Sequence, residues 1–477
     1  MNELQGEYAG YFTAEEVKAT LNKMAQAGGA KRGLYWRILT PLVMLWGLIY
    51  QRLNADHSQD GVLTHLKGGG ADHLAQGEGG QRALSKRLSS ESTSSYAQGR
   101  ERLPSEWIRT GVQQVSERVQ ASQGEAGRWK GHAVRWLDGT TYRLPSFGDL
   151  ATSYGQARNQ HGAAYWVTAK SLAAFDWGSD VVVGYAEGRN NQSEASLFGA
   201  VIQMDGICHS VYIGDEGLGQ YRVAQVAVHN QQHVLLRLSA DDANKLYHAN
   251  GGQGRLTSGS DVALTWIPDP HIKTEPELAA SPIRGRVIYV QVRRNGYRPV
   301  DLYVFTTLLD QTRYTLDELI SLYTSRWHVE INYRTVKSSL DMDEFDVHSA
   351  AMFRTELAAG LLAYNLVRAL MVKAALTANL PPARLSFTRC LRRILYACQH
   401  GFPDWVYAEF PDPTHYLIQQ LAACRLPNTP HKVPHEPRAV RRRPQVFPNL
   451  KGSRNRARSL LLDQLAGTID PAKNTNS

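Results

Sequence analysis

HAVRWLDGTTYRL, residues 132–144, is the stretch on which the fold turns, with YWVTA (165–169), DVVVGY (180–185), SVYIG (210–214) and HVLLRL (233–238) after it. Its apolar and polar residues alternate up to Asp138-Gly139, a dipeptide common in tight turns. TYRL then resumes the alternation, which predicts a hairpin. Helical spacing appears at 193–204 and again at 220–229, between the later apolar runs. A hairpin followed by strand, helix, strand, helix and strand is a mixed α/β order built on one sheet.

Working downstream, residues 240–300 are polar and glycine-rich but hold the strand-like runs VALTWI and GRVIYVQVRR, so they read as a β-rich insertion. VDLYVFTTL (300–308) restores a strand, and a long helix starts near Leu316. Upstream, residues 1–125 read as helical. Thr13 and Glu16 have capping-box spacing, and the apolar run 39–50 is too short for the roughly 20 residues of a membrane span, so it reads as a buried helix. A helical pair broken at Pro104 occupies 94–120, and such short helices suit either a small bundle or a helix-turn-helix-like DNA reader. Helices resume over 351–424. The tail 425–477 follows, and its 425–458 portion carries ten Lys/Arg against the single acid Glu436 with six prolines interspersed. That composition cannot build a core; it reads as a solvated tail or a phosphate-gripping arm.

Composition narrows the class. The chain has 477 residues, 43% apolar and 20% charged, which is ordinary globular material for two or three domains. Its formal charge of +9 favours a polyanionic partner. Cys208, Cys390, Cys398 and Cys424 have no C-x-x-C or zinc-finger spacing and read as reduced thiols. MNELQGEYAGYF lacks the basic and apolar regions of a secretory signal, so a cytoplasmic protein is expected.

Chemistry concentrates in YTSRWHVEINYRTVK, residues 323–337. At about 100° per residue, Tyr323, Arg326, Glu330 and Lys337 fall in one stripe of one helix. Leu316, Ile320, Trp327 and Ile331 form an apolar strip beside it that would pack on the sheet. A carboxylate held this way can ligate a metal while the cations hold phosphate. An Arg and a Glu four apart are also an ordinary surface pair, so the stripe alone leaves both readings open.

The spacing Y-x2-R-x3-E-x6-K resembles the signature of the insertion sequence four family of bacterial transposases. The resemblance implies a ribonuclease H-like mixed-sheet catalytic core at 126–350, with the β-rich insertion at 240–300. The flanks would be a helical DNA-end-binding domain at 1–125, a helical region at 351–424 and the basic tail. It implies a DDE transposase that cleaves transposon ends and transfers the strands into target DNA with two Mg²⁺ or Mn²⁺ ions. Asp138, Asp215 and Glu330 match the metal-holding acids, with Asp215 preferred to Glu216 because adjacent strand residues face opposite ways. Tyr323, Arg326 and Lys337 match the residues on the transposon-end phosphates. Double-stranded DNA, as terminal inverted repeats and target, and a homodimer in the synaptic complex are the implied partners. Family members that use a DNA hairpin stack a flipped base on an aromatic before the signature helix; here Leu302 takes that place, with Tyr303 beside it and Trp266 as another candidate. A metal nuclease of the same fold and a non-catalytic DNA-binding regulator remain the alternatives.

Overall fold

A computed structural model describes residues 3–28, 38–75, 83–159, 162–268, 278–293, 299–427 and 453–465. The chain divides into two compact units, Met1–Val292 with Pro299–Asn428, and Arg293–Arg298 with Thr429–Ser477.

In the larger unit the helices α1 (Glu3–Tyr11), α2 (Ala14–Gly28), α3 (Pro41–Leu53), α4 (Gln59–Lys67), α5 (Leu84–Arg87), α6 (Ser94–Arg100) and α7 (Ser105–Gln123) come first. The expected capping box starts α2, with the Glu16 amide donating to Thr13 Oγ1 (3.3 Å) and the Thr13 hydroxyl to Glu16 Oε2 (2.8 Å). The apolar run forms α3, which is buried along its whole length.

The sheet is built from β1 (Val134–Leu144), β2 (Gln156–Asn159), β3 (Gly162–Asp176), β4 (Val182–Arg189), β5 (Val211–Gly214), β6 (His233–Leu238), β7 (Ser260–Trp266), β8 (Ile283–Val292) and β9 (Val300–Thr306). Helices α8 (Leu150–Tyr154), α9 (Phe198–Asp205), α10 (Tyr221–His229) and α11 (Ala240–Ala249) connect them. The hairpin expected at Asp138-Gly139 is not there: β1 runs straight through the dipeptide. Continuous antiparallel pairing with β3, from Arg135↔Asp176 to Leu144↔Val167, holds both residues in extended backbone, and this tertiary pairing overrides the local turn preference.

β3 is antiparallel to β1 and β4, while β1, β5 and β6 are mutually parallel. The order β4-β3-β1-β5-β6 is the ribonuclease H-like core. The insertion continues this sheet: β9 lies antiparallel beside β6, followed outward by β8 and β7. It opens with α11, capped by Ser239 through the Asp242 amide (3.1 Å). Buried Arg286 of β8 pairs with Asp261 of β7 and donates to the carbonyls of Leu308 and Tyr314, both at 3.0 Å.

Adjacent β1 residues identify the sheet's two faces. Arg135 reaches Asp205 of α9 (2.8 Å) on one, and Trp136 stacks on His328 on the other, with ring centroids 5.5 Å apart. After the sheet come α12 (Leu316–Thr324), α13 (Trp327–Ser339), α14 (Ala350–Thr377), α15 (Phe387–His400), α16 (Asp404–Glu409) and α17 (Pro413–Ala422). α14 is long and apolar enough to cross a membrane, but 94% of its most apolar window is buried inside the protein, as in a core helix.

α7 packs on α14 and β4 through Trp107, Ile108, Val112, Val115 and Val119. Buried Asn365 of α14 joins the three: its Oδ1 accepts from the Val182 amide (2.8 Å), and its Nδ2 donates to the carbonyls of Val182 (2.8 Å) and Val112 (3.3 Å). The second unit contains α18 (Arg454–Leu465), at the end of the basic tail; residues 428–452 of that tail lie outside the described residues. Asn365→Leu keeps the volume but leaves the Val182 amide and carbonyl buried without those partners. It is expected to destabilise the fold by about 2–4 kcal/mol, read as a lowered urea midpoint of the full chain.

Candidate active site

The parallel rungs of β1 and β5 run from Val134↔Val211 to Trp136↔Ile213. Asp138 and Asp215 each stand two residues beyond that last rung. Equal offset puts the two residues at the same level of the sheet, Asp138 within β1 and Asp215 just past the carboxyl end of β5, where the parallel pairing of the two strands stops and the sheet opens. The Asp215 carboxylate accepts from the Leu218 amide (3.2 Å), which fixes the turn leaving β5. Glu216 is exposed and paired with Arg237 at 3.5 Å.

Tyr323, Arg326, Glu330 and Lys337 do not share one helix. The helix expected from Leu316 onward breaks at Ser325-Arg326 into α12 and α13. Short-range i→i+3 bonds take over there: the Arg326 amide donates to Tyr323 O (3.0 Å) and the Val329 amide to Arg326 O (2.9 Å). The Thr324 and Ser325 hydroxyls also donate to the Ser321 and Leu322 carbonyls, at 2.9 and 2.6 Å. Hydroxyls competing for helical carbonyls tighten the backbone and shift its phase. The shift corrects the expected apolar strip, because Trp327 and Ile331 are 64% and 43% exposed, while Val329, Asn332, Tyr333 and Val336 face inward.

The break places Glu330 in the first turn of α13, where the helix dipole favours an anion. Arg326 lies between the acids, one guanidinium nitrogen 3.9 Å from Asp138 Oδ1 and another 3.9 Å from Glu330 Oε1. Buried Tyr323 lies within the fields of Arg326, Arg237 and Asp215, and burial raises its phenol pKa. Lys337 sits further along, donating to Thr141 O (2.9 Å), pairing with Asp343 (3.0 Å) and resting over the Tyr142 ring. Thus Tyr323 and Arg326 gather with the three acids, and Lys337 clamps α13 to β1 beside them.

Three residues absent from the sequence reading complete the setting. Tyr333 donates its hydroxyl to the backbone carbonyl of Asp138 (2.8 Å). Asn332 donates to Asp180 Oδ1 (2.9 Å) and accepts from Arg368 of α14 (3.0 Å), while Arg368 pairs with Asp180 at 3.2 Å. Glu194, in a single 3-10 turn (Glu194–Ser196) ahead of α9, is a further carboxylate near the aspartates. Tyr333 and Asn332 follow the signature glutamate at helical offsets and could have been singled out as its inward face; Glu194 has only its place at the start of the first core helix.

Burial, with the charges of Asp215 and Glu194, pushes the Asp138 carboxyl up to about 6 against the opposing pull of Arg326. Glu194 is raised too, by burial first and then by Asp215. Among the described residues no three His, Cys, Asp or Glu side chains cluster closely enough to hold one ion, and Asp138 and Glu330 instead flank Arg326. The donor set is hard oxygen in a pocket whose field calls for positive charge, which fits a divalent cation of the Mg²⁺ type. Trp266 and Tyr303, the aromatics considered for a flipped base, are both buried in ring pairs. Trp266 meets Phe305 edge-on at 4.8 Å, and Tyr303 stacks on Tyr289 at 4.2 Å; Leu302 is buried as well.

A ribonuclease H-like sheet with one acid within its first core strand, one just past its fourth and one on a later helix defines a nucleic-acid phosphoryl-transfer enzyme. Residues 129–366 match the family described as "Transposase DDE domain", and the chain belongs to that family of DNA-cleaving and strand-transferring enzymes, which implies dependence on divalent metal. Within it the chain falls in the insertion sequence four family. It is similar to transposase InsG for insertion sequence element IS4 of Escherichia coli (strain K12), 24% identical over 367 residues, covering 74% of this chain and 78% of that protein. Among solved structures it is similar to a piggyBac transposase synaptic complex with hairpin DNA, with a TM-score of 0.41 and 9% identity over 92% of this chain and 89% of the other.

Tyr333→Phe removes the one side-chain bond from α13 to the Asp138 backbone. The loss in stability should be about 1 kcal/mol, and DNA strand cleavage should fall more than DNA binding does, comparing single-turnover cleavage with a gel-shift titration.

Proposed function

We propose that Asp138, Asp215 and Glu330 hold the divalent metal of this transposase, and that Arg326, Tyr323 and Lys337 engage the transposon-end backbone. The observation that carries the reading is the common register of Asp138 and Asp215 beyond the last β1–β5 rung, with Glu330 brought to Asp138 across Arg326. Two Mg²⁺ or Mn²⁺ ions held there would supply Lewis acidity to the attacking and leaving oxygens of a phosphodiester. Every other contribution comes from the chain.

With metal bound, Asp138 and Glu330 would hold it in place of the Arg326 guanidinium, whose planar fork would then be free for a DNA phosphate. Tyr323, already within the field of Arg326, holds that fork in place. Lys337 has intramolecular partners in Thr141 and Asp343, so it offers phosphate the outward side of an ammonium that also fixes α13. Water is activated first, freeing a 3′-OH at the element's end, and that 3′-OH then attacks target DNA at the same acids. Residues 1–125 bind the terminal inverted repeats, with α7 contributing its outward side because its apolar face is committed to α14 and β4. The basic residues 425–477 grip phosphate, and two copies synapse the ends at the bacterial nucleoid in the cytoplasm.

Asp138→Ala, Asp215→Ala and Glu330→Ala should each abolish cleavage and joining in Mg²⁺ while a gel shift still reports end binding; cutting by all three variants would overturn the assignment. Arg326→Ala should weaken the DNA complex and reduce its log–log salt slope by about 1. An unchanged slope in filter binding between low and moderate salt would remove Arg326 from the phosphate contacts.

A further inference from the structure

At Asp138-Gly139 the two sides of β1 meet different partners. Asp138 shares a face with Trp136 and Tyr142, the face covered by α13, and there it meets Arg326 and Glu330. Gly139 points the other way, toward the side of Arg135 and α9. A Cβ on Gly139 would overlap the Glu194 carboxylate, whose carbon and two oxygens are its three nearest neighbours. Glycine at 139 therefore leaves the space into which the Glu194 carboxylate is laid, directly against the strand and one residue from Asp138.

A purely structural role does not account for that placement. The Glu194 carboxylate is partly buried, yet it makes no hydrogen bond or ion pair among the described residues. It fills the space a side chain at 139 would take, and glycine offers no side-chain donor there. Removing a carboxylate from water without a partner is unfavourable, and Lys170, within its field, stays beyond ion-pair reach. The charges that act on it include that of Asp215, across the opening where β1 and β5 part.

From this geometry we infer that Glu194 is a fourth carboxylate ligand of the divalent-metal site, approaching the Asp138–Asp215 opening from the face opposite Glu330. The inference rests on the three-acid reading above and deepens it. One carboxylate from each face, with the two aspartates between them, would add a hard-oxygen ligand to the set available to divalent cations. Divalent ions of this class take six or more oxygens, and one-sided ligation by three residues would leave most of that shell to water and DNA. Four carboxylates also outnumber the cations in their fields, Arg326 and Lys170, and leave a net negative charge for a divalent ion to neutralise.

The test is Mn²⁺ alone, titrated into the full chain without DNA and followed by the electron paramagnetic resonance of free Mn²⁺. Wild type, Glu194→Gln, Glu194→Asp and Asp138→Asn are compared, with folding checked by thermal melting. Glu194→Gln should weaken Mn²⁺ binding at least about tenfold or remove one ion from the stoichiometry, with Glu194→Asp intermediate and metal-free DNA binding unchanged. Mn²⁺ binding that falls in Asp138→Asn but matches wild type in both Glu194 variants would overturn the fourth ligand and leave the three-acid site standing. Binding that is untouched in Asp138→Asn as well would overturn the three-acid reading, and this one with it. Should Glu194→Gln fail to fold, Glu194→Asp carries the same comparison, because it keeps the charge and withdraws it by one methylene.

Discussion

Glu330 lies nearly two hundred residues from Asp138 in the chain, and what fixes its position is a buried polar knot on the inward side of α13. Asn332, two residues from Glu330, bridges Asp180 in the β3–β4 turn and Arg368 on α14. Tyr364 closes the knot by donating to the Asp180 carbonyl at 2.9 Å. Asp180 itself has a positive φ of 62°, so the turn offers its carboxylate and its carbonyl to two different partners. Buried ionic groups of this kind are weak contributors to stability but exacting about geometry, since each unpaired member would be costly. One rotation of α13 satisfies the knot, and the same rotation places Tyr333 on the Asp138 carbonyl and Glu330 at the site's edge.

The helical layer is organised around the same element. α14 carries Tyr364, Asn365 and Arg368 on successive positions of its buried surface, so a single helix holds the turn, the edge strand β4 and α7 in place. Residues from both ends of the chain thereby support the sheet. Arg52 of α3 and Arg100 of α6 both pair with buried Glu356 of α14, which ties the first hundred residues to the helix behind the site.

The mixed sheet, the insertion and the buried α3 were legible because apolar periodicity reports burial directly. The two aspartates were legible only through the family resemblance, since Asp138-Gly139 carries a strong local preference for a turn that pairing with β3 cancels. The signature spacing singled out Tyr323, Arg326, Glu330 and Lys337 but not the backbone that carries them. Thr324 and Ser325 hold the information that the helix breaks, yet hydroxyls donating to the preceding turn are common in unbroken helices too, and only the tertiary context decides. Trp327 and Ile331, expected in the buried strip, stand on the outside of α13 instead. Glu194 left no trace in any pattern, because its meaning depends on a glycine fifty-five residues earlier.

Arg326 has a consequence for how the enzyme matures. With its guanidinium set between Asp138 and Glu330, the protein carries an internal counter-ion at the place where its acids would otherwise repel one another. Small metal domains whose ligands have no such substitute fold only when loaded. Here Asp138 and Glu330 already have a cationic partner inside the chain, so the scaffold can fold before any divalent ion is bound.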